Sequence, residues 1–261
     1  MKDRVIAYED VDICYCGQPI VQQASFSLRR GEILGIVGES GSGKSTLIRC
    51  ALHLLGPGGA ATKGHIWFQG VDLLALPDDK LRSLCGAQIA MLFQDAAASL
   101  CPVRTVGSQL YETVAAHYAR PYHEVRQQAM TVLEDLGISD GRRIWDSYPF
   151  ELSGGMNQRA VLASVMMLKP SLLLADEPTS ALDVCAQKLV LQELLQLRRQ
   201  YDTAIMLVTH DMAVVSQVAD AVLVIKDGTI VEYGAVHDVL TTPQQEYTKQ
   251  LLAAVPKLRR E

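Results

Sequence analysis

Three clusters of residues have the types and spacing for work on a phosphorylated ligand. Gly38-Glu39-Ser40-Gly41-Ser42-Gly43-Lys44-Ser45 fits G-x-x-x-x-G-K-[ST], with Thr46 following. Glycines let such a loop bend so that backbone N–H groups point at phosphate oxygens. The helix that follows turns its positive end to the same oxygens. Lys44 is expected to reach the β- and γ-phosphates, and Ser45 to offer a hydroxyl to Mg²⁺. The second cluster, Leu172-Leu173-Leu174-Ala175-Asp176-Glu177, is an apolar run ending in two carboxylates. Asp176 is placed to bind Mg²⁺, and Glu177 to polarise an attacking water. The third is Leu152-Ser153-Gly154-Gly155-Met156-Asn157-Gln158-Arg159. Ser153 and the Gly154 and Gly155 amides at a helix N-terminus make a second phosphate cap. Two such caps, over a hundred positions apart in one chain, are explained if two chains sandwich two nucleotides and each completes the other's site.

These residues need elements to hold them. Ile33 to Val37 is a short apolar run bounded by glycines, as in a buried parallel strand. A helix is expected from Thr46 to Leu55, stopped by Gly56-Pro57-Gly58-Gly59. Further strands are expected at 5–14, 25–28, 65–68, 89–93, 171–175 and 204–209, with a hairpin over 222–233. Helical patterns cover 106–137, 156–167, 185–199 and the tail from Val236. Strands alternating with helices argue for an α/β fold with a mainly parallel sheet and a helical insertion between two of its strands.

Composition excludes several classes. The chain has 261 residues, 49% hydrophobic and 20% charged, which is globular. Its net charge of −5 is unsuited to general nucleic-acid binding, which needs a basic surface. The start, MKDRVIAYED, lacks the apolar stretch of a signal peptide, and the longest apolar run, Ala160 to Leu168, is too short to span a bilayer. The expectation is a soluble, cytosolic chain. The six cysteines, Cys14, Cys16, Cys50, Cys85, Cys101 and Cys185, lack paired zinc spacing and read as reduced thiols.

With these motifs in order, the chain resembles the ATP-binding-cassette (ABC) ATPases over essentially its whole length. GESGSGKST is similar to their Walker A motif, LLLADEP to Walker B and LSGGMNQR to the signature. Gln94 resembles the Q-loop glutamine, Ser180-Ala181-Leu182-Asp183 the D-loop and His210 the switch histidine. Tyr15 is similar to the aromatic residue that stacks on adenine; a tyrosine in a strand also commonly serves packing alone. The resemblance implies a P-loop NTPase (RecA-like) core with an N-terminal antiparallel β subdomain and an inserted α-helical subdomain at approximately 95–155, all within one ATPase domain of 1–261. It implies Glu177, His210 and Gln94 as catalytic, Ser45, Gln94 and Asp176 around Mg²⁺, and residues 152–159 acting in trans. ATP and Mg²⁺ are the implied ligands. The implied partners are a second ATPase subunit, identical or different, two membrane permeases and, indirectly, an extracytoplasmic solute-binding protein, with the chain held peripherally at the cytoplasmic face of the inner membrane.

FQDAAASLCPVRTVGSQL resembles the FQDPxxSLNPxxTVGxQ pattern of the peptide and nickel importer ATPases. Ala96 and Cys101 depart from it, replacing proline and asparagine beside the surface expected to receive a permease. No cysteine follows Cys185, so the iron–sulfur tail of many such ATPases is not expected. The implied function is powering import of nickel, another metal or short peptides. The alternative is a soluble ABC ATPase acting on nucleic acid or ribosomes. Against it, the interval from Gly38 to Leu152 has no room for a long coiled coil, and one cassette is present rather than two.

Overall fold

A computed structural model of the chain describes residues 3–254 apart from Ala96 and Ala181, and only the backbone of Ala97, Val184 and Cys185. The strands are β1 (Arg4–Tyr15), β2 (Gln18–Arg29), β3 (Ile33–Val37), β4 (Gly59–Phe68), β5 (Val71–Asp72), β6 (Ile89–Leu92), β7 (Leu172–Asp176), β8 (Ala204–Val208), β9 (Ala221–Lys226) and β10 (Thr229–Ala235). The helices are α1 (Lys44–Cys50), α2 (Asp78–Leu84), α3 (Val106–Ala115), α4 (Tyr122–Asp135), α5 (Gly141–Asp146), α6 (Gly154–Leu168), α7 (Val184–Tyr201), α8 (Met212–Val218), α9 (Val236–Thr241) and α10 (Glu246–Ala254).

The strands run in the order β5-β4-β1-β2-β10-β9-β3-β8-β7-β6. Strands β5, β4, β1 and β2 pair antiparallel, whereas β9, β3, β8, β7 and β6 pair parallel. One residue pair, Thr229↔Gln22, joins the two sheets. Every residue of β3, β7 and β8 is buried, because helices cover both faces of a parallel sheet. Side chains alternate between two cores. Leu173, Ala175, Ile205 and Leu207 face one, with α6 and the helices α3 to α5. Leu172, Leu174, Met206 and Val208 face the other, with α1 and the inner side of the antiparallel sheet. A third cluster packs Val37, Val222 and Val224 against α8, α9 and Tyr247 of α10.

The helical insertion is organised by Trp145, 2% exposed, whose ring lies over Gly107 and whose indole N–H donates to the Tyr122 hydroxyl at 3.0 Å. Thr105 caps α3 by accepting the Ser108 N–H at 3.3 Å, and Asp140 caps α5 by accepting the Arg143 N–H at 3.1 Å.

Several boundaries differ from the sequence expectation. Helix α1 ends at Cys50 rather than Leu55, because Leu52 and His53 tighten onto the Arg49 and Cys50 carbonyls and His53 turns left-handed at φ 55°. Strands β2 and β4 are far longer than residues 25–28 and 65–68, since antiparallel pairing with β1 recruits flanking polar positions. Helices α2, α5 and α8 have six or seven residues each, too few to declare a helical period. No helix among the described residues is long and apolar enough to cross a membrane.

Candidate active site

The chemistry-bearing residues gather where β3, β7 and β8 end, the edge at which open α/β sheets bind ligands. Residues 38–43 loop from β3 into α1. Gly43, the residue before the helix, has φ 100°, a left-handed conformation in which a Cβ would press on Val21 and the Ile20 carbonyl. Inside the loop the Ser42 hydroxyl is buried without a hydrogen-bond partner, the kind of orphaned group a phosphate oxygen would satisfy. The Ser42 carbonyl accepts the Gly228 N–H at 3.1 Å, so the β9–β10 turn forms the floor of the loop.

Lys44 is 4% exposed and its ammonium donates to the carbonyls of Gly38 at 2.9 Å and Glu39 at 2.6 Å. Burial pulls it below the usual lysine range, opposed by the charges of Glu177, Asp176 and Glu39. Ser45 donates its hydroxyl to Asp176 Oδ1 at 2.6 Å across 131 positions of sequence. The other Asp176 oxygen accepts two hydrogen bonds from Arg49, at 2.7 and 3.1 Å. Asp176 is 2% exposed. The sequence reading missed Arg49, an arginine in the last turn of α1 that looks like any solvated helix end.

Glu177 follows β7 at φ 48°, left-handed and uncommon for a residue with a side chain. Its N–H donates to the Val208 carbonyl at 3.0 Å, and its own carbonyl accepts the Ser180 N–H and hydroxyl at 3.2 and 3.1 Å. The Glu177 carboxylate lies 3.5 Å from His210 Nδ1. His210 is held just past β8, where Asp211 caps α8 by accepting the Ala213 N–H at 2.7 Å. The Glu177 carboxylate and the His210 imidazole thus stand at the same sheet edge as Lys44, Ser45 and Asp176.

The remaining expected residues fall in two places. Ser153 caps α6, accepting the Met156 N–H at 3.3 Å, and Ser153, Gly154 and Gly155 are exposed, with open space over both glycines. No hydrogen bond or ion pair joins these three to residues 38–46. Asn157 is buried and donates to the Pro149 carbonyl at 2.9 Å, while Arg159 pairs with Glu193 at 3.0 Å. Leu152 is buried and Met156 packs on the helical core. Gln94 lines a cavity of about 430 Å³ with Gly154, Gln158, Pro178 and Glu193. It makes no hydrogen bond to Ser45 or Asp176. Asp183 accepts the Ala186 N–H at 2.9 Å at the start of α7, and Leu182 packs on the first core. Ala181, like the expected departure at Ala96, lies outside the described residues.

Tyr15 ends β1 half-buried. Its ring lies on Gly59 and packs with the core beneath the antiparallel sheet, so a packing role is already visible. Among the described residues no group of three or more His, Cys, Asp or Glu side chains could hold a metal, and Cys14, Cys16, Cys50, Cys85 and Cys101 are free.

Residues 21–180 match the family described as ABC transporter. The chain is 38% identical over 241 residues to a metal-staphylopine import system ATP-binding protein, CntD, of Staphylococcus aureus, covering 92% of this chain and 89% of that one. It is 39% identical over 241 residues to a dipeptide transport ATP-binding protein, DppD, of Escherichia coli, covering 92% of this chain and 74% of that one. Among solved structures it resembles a dimeric post-hydrolysis state of the cassette MJ0796 bound to ADP and Pi, with TM-score 0.77, 26% identity, and 88% and 98% of the two chains covered.

Proposed function

Because this chain belongs to the ABC transporter family, we propose that it is the ATP-hydrolysing subunit of an importer that takes up a metal chelate or a short peptide through partner permeases. The observation that carries the mechanism is the convergence of Lys44, Ser45, Asp176, Glu177 and His210 at one sheet edge.

ATP binds with its phosphates against the amides of residues 38–46. Lys44 leaves its loop carbonyls for the β- and γ-phosphates, and the orphaned Ser42 hydroxyl gains an acceptor. The Ser45 hydroxyl and the Asp176 carboxylate are hard oxygen donors already in contact, a set that suits Mg²⁺. Mg²⁺ bound there would neutralise charge on the phosphate oxygens. Glu177 orients the attacking water and accepts its proton, and His210, held beside it, fixes the geometry. Ser153, Gly154 and Gly155, exposed and with no hydrogen bond to their own phosphate loop, cap the γ-phosphate of a second ATPase subunit. Gln94, opening the helical insertion and sharing a cavity with the signature helix, passes closure to the permeases. ATP favours the closed pair and ADP does not, which is the differential affinity that work requires.

Lys44→Ala tests the assignment. It removes the cation inside the loop, so phosphate release and most ATP binding should disappear. Release within twofold of the parent would exclude this site.

A further inference from the structure

We propose that Tyr247, on helix α10, is a positioning residue of the phosphate loop. This rests on the nucleotide-binding reading of that loop. The Tyr247 hydroxyl accepts the Glu39 backbone N–H at 3.1 Å, across 208 positions of sequence. Glu39 is the second residue of the loop, and its carbonyl accepts from Lys44 at 2.6 Å. One peptide segment is therefore held on one side by the ligand-binding lysine and on the other by the C-terminal helix.

Helix α10 is itself braced. Just before it begins, Glu232 of β10 accepts the N–H groups of Gln244 at 2.8 Å and Gln245 at 3.2 Å. Tyr247, 8% exposed, packs in the third core with Val37, the last residue before the loop. The Lys226 ammonium sits 4.9 Å from the centre of the Tyr247 ring, which fixes the ring from the hairpin side. Farther along α10, Leu251 and Ala254 line a cavity of about 170 Å³ with Gly38, His210 and Asp211. One helix thus backs both the phosphate loop and the switch histidine.

The hydroxyl matters most once ATP is bound. Lys44 then turns to the phosphates, and Glu39 keeps Tyr247 as its side-chain partner. Without it the loop entrance gains freedom that ATP must quench, so affinity falls while the chemistry at Glu177 is untouched.

Tyr247→Phe retains the ring, its packing and the Lys226 contact and deletes the hydroxyl, with its bonds to the Glu39 N–H and the Glu39 side chain. The dissociation constant and KM for ATP should rise ~3- to 10-fold, the scale of one hydrogen bond, with kcat within twofold. Leu252→Ala loosens the same helix through the third core without touching the loop. It should lower the melting temperature without raising the ATP dissociation constant. An unchanged constant in Tyr247→Phe, or an equal rise in Leu252→Ala, overturns the proposal. Lys44→Ala, measured alongside, separates the two claims: if it binds ATP normally the loop reading fails, and if it alone loses binding the Tyr247 role fails.

Discussion

Gln158 donates its side-chain amide to the carbonyl of Pro178 at 2.9 Å, tying the second turn of α6 to the residue after Glu177. The helix that offers Ser153 outward is thereby fixed to the segment that carries the Glu177 carboxylate. A partner docking on one end of this linkage meets a surface whose position depends on the other.

Glu177→Gln keeps shape and hydrogen bonding but removes the base. Hydrolysis should slow at least ~100-fold while binding survives. The stalled protein, alone or with a sister ATPase subunit, should elute as a dimer in ATP and a monomer in ADP on size-exclusion chromatography. Adding Ser153→Arg should abolish the ATP dimer by driving a bulky cation into the γ-phosphate cap. Identical profiles in ATP and ADP, or a dimer that tolerates Ser153→Arg, would contradict the shared site.

Tyr15 has a packing partner in Gly59, so its second role needs separate evidence. If adenine also stacks on the ring, Tyr15→Ala should weaken nucleotide binding by ~1–3 kcal/mol, equally for ATP and GTP, because stacking does not read base edges. Titration with both nucleotides decides, and unchanged affinity leaves packing alone.

Arg49→Leu strips Asp176 of two hydrogen bonds and leaves a buried carboxylate with the Ser45 hydroxyl and the nearby Lys44 charge. The arginine is 41% exposed, so the loss should be about 1–2 kcal/mol, less than for a fully buried pair. Urea unfolding should show a lower midpoint at pH 7, and MgATP should narrow the gap, since ligand binding stabilises the folded state and returns a cation beside Asp176. A midpoint equal to the parent's would remove Arg49 from the account.

Glu193 lies against Arg159 on α6, yet burial pushes its carboxyl up from 4.5 to about 7. The folded state therefore keeps a proton that the unfolded chain releases between those values. Its contribution is fully present below about 4.5, is lost as pH rises through about 7, and is flat above. The melting temperature of the parent should fall relative to Glu193→Gln between pH 5 and 8. Parallel curves would show that the burial carries no such linkage.

Much of the fold and of the phosphate loop is legible in the sequence. The short apolar runs at 33–37, 172–175 and 204–208 point to parallel strands by their length and the turn residues around them, whereas the longer apolar run at 160–168 lies in a helix. The loop at 38–45 carries its own signature, since few sequences concentrate glycines before a lysine without a phosphate to hold. Arg49 and Tyr247 were not legible. Their partners lie 127 and 208 positions away, and only the folded chain brings them together. Gly228 read as a hairpin turn, which it is. Its left-handed φ of 78° and its approach to the Ile20 carbonyl show that it is also where the antiparallel sheet meets the loop floor.

That floor has a consequence for synthesis. Residues 38–45 leave the ribosome early, but the groups that close them, the Gly228 amide and the Tyr247 hydroxyl, are made near the end. At ~5–20 residues per second, about 10–40 s separate Glu39 from Tyr247. β3 likewise waits for both of its neighbours, β8 and β9. During that interval the phosphate-loop sequence lacks the contacts from Gly228 and Tyr247 that hold it in the folded chain. The phosphate loop and β3 acquire their full set of partners only after residues 204–247 have been made.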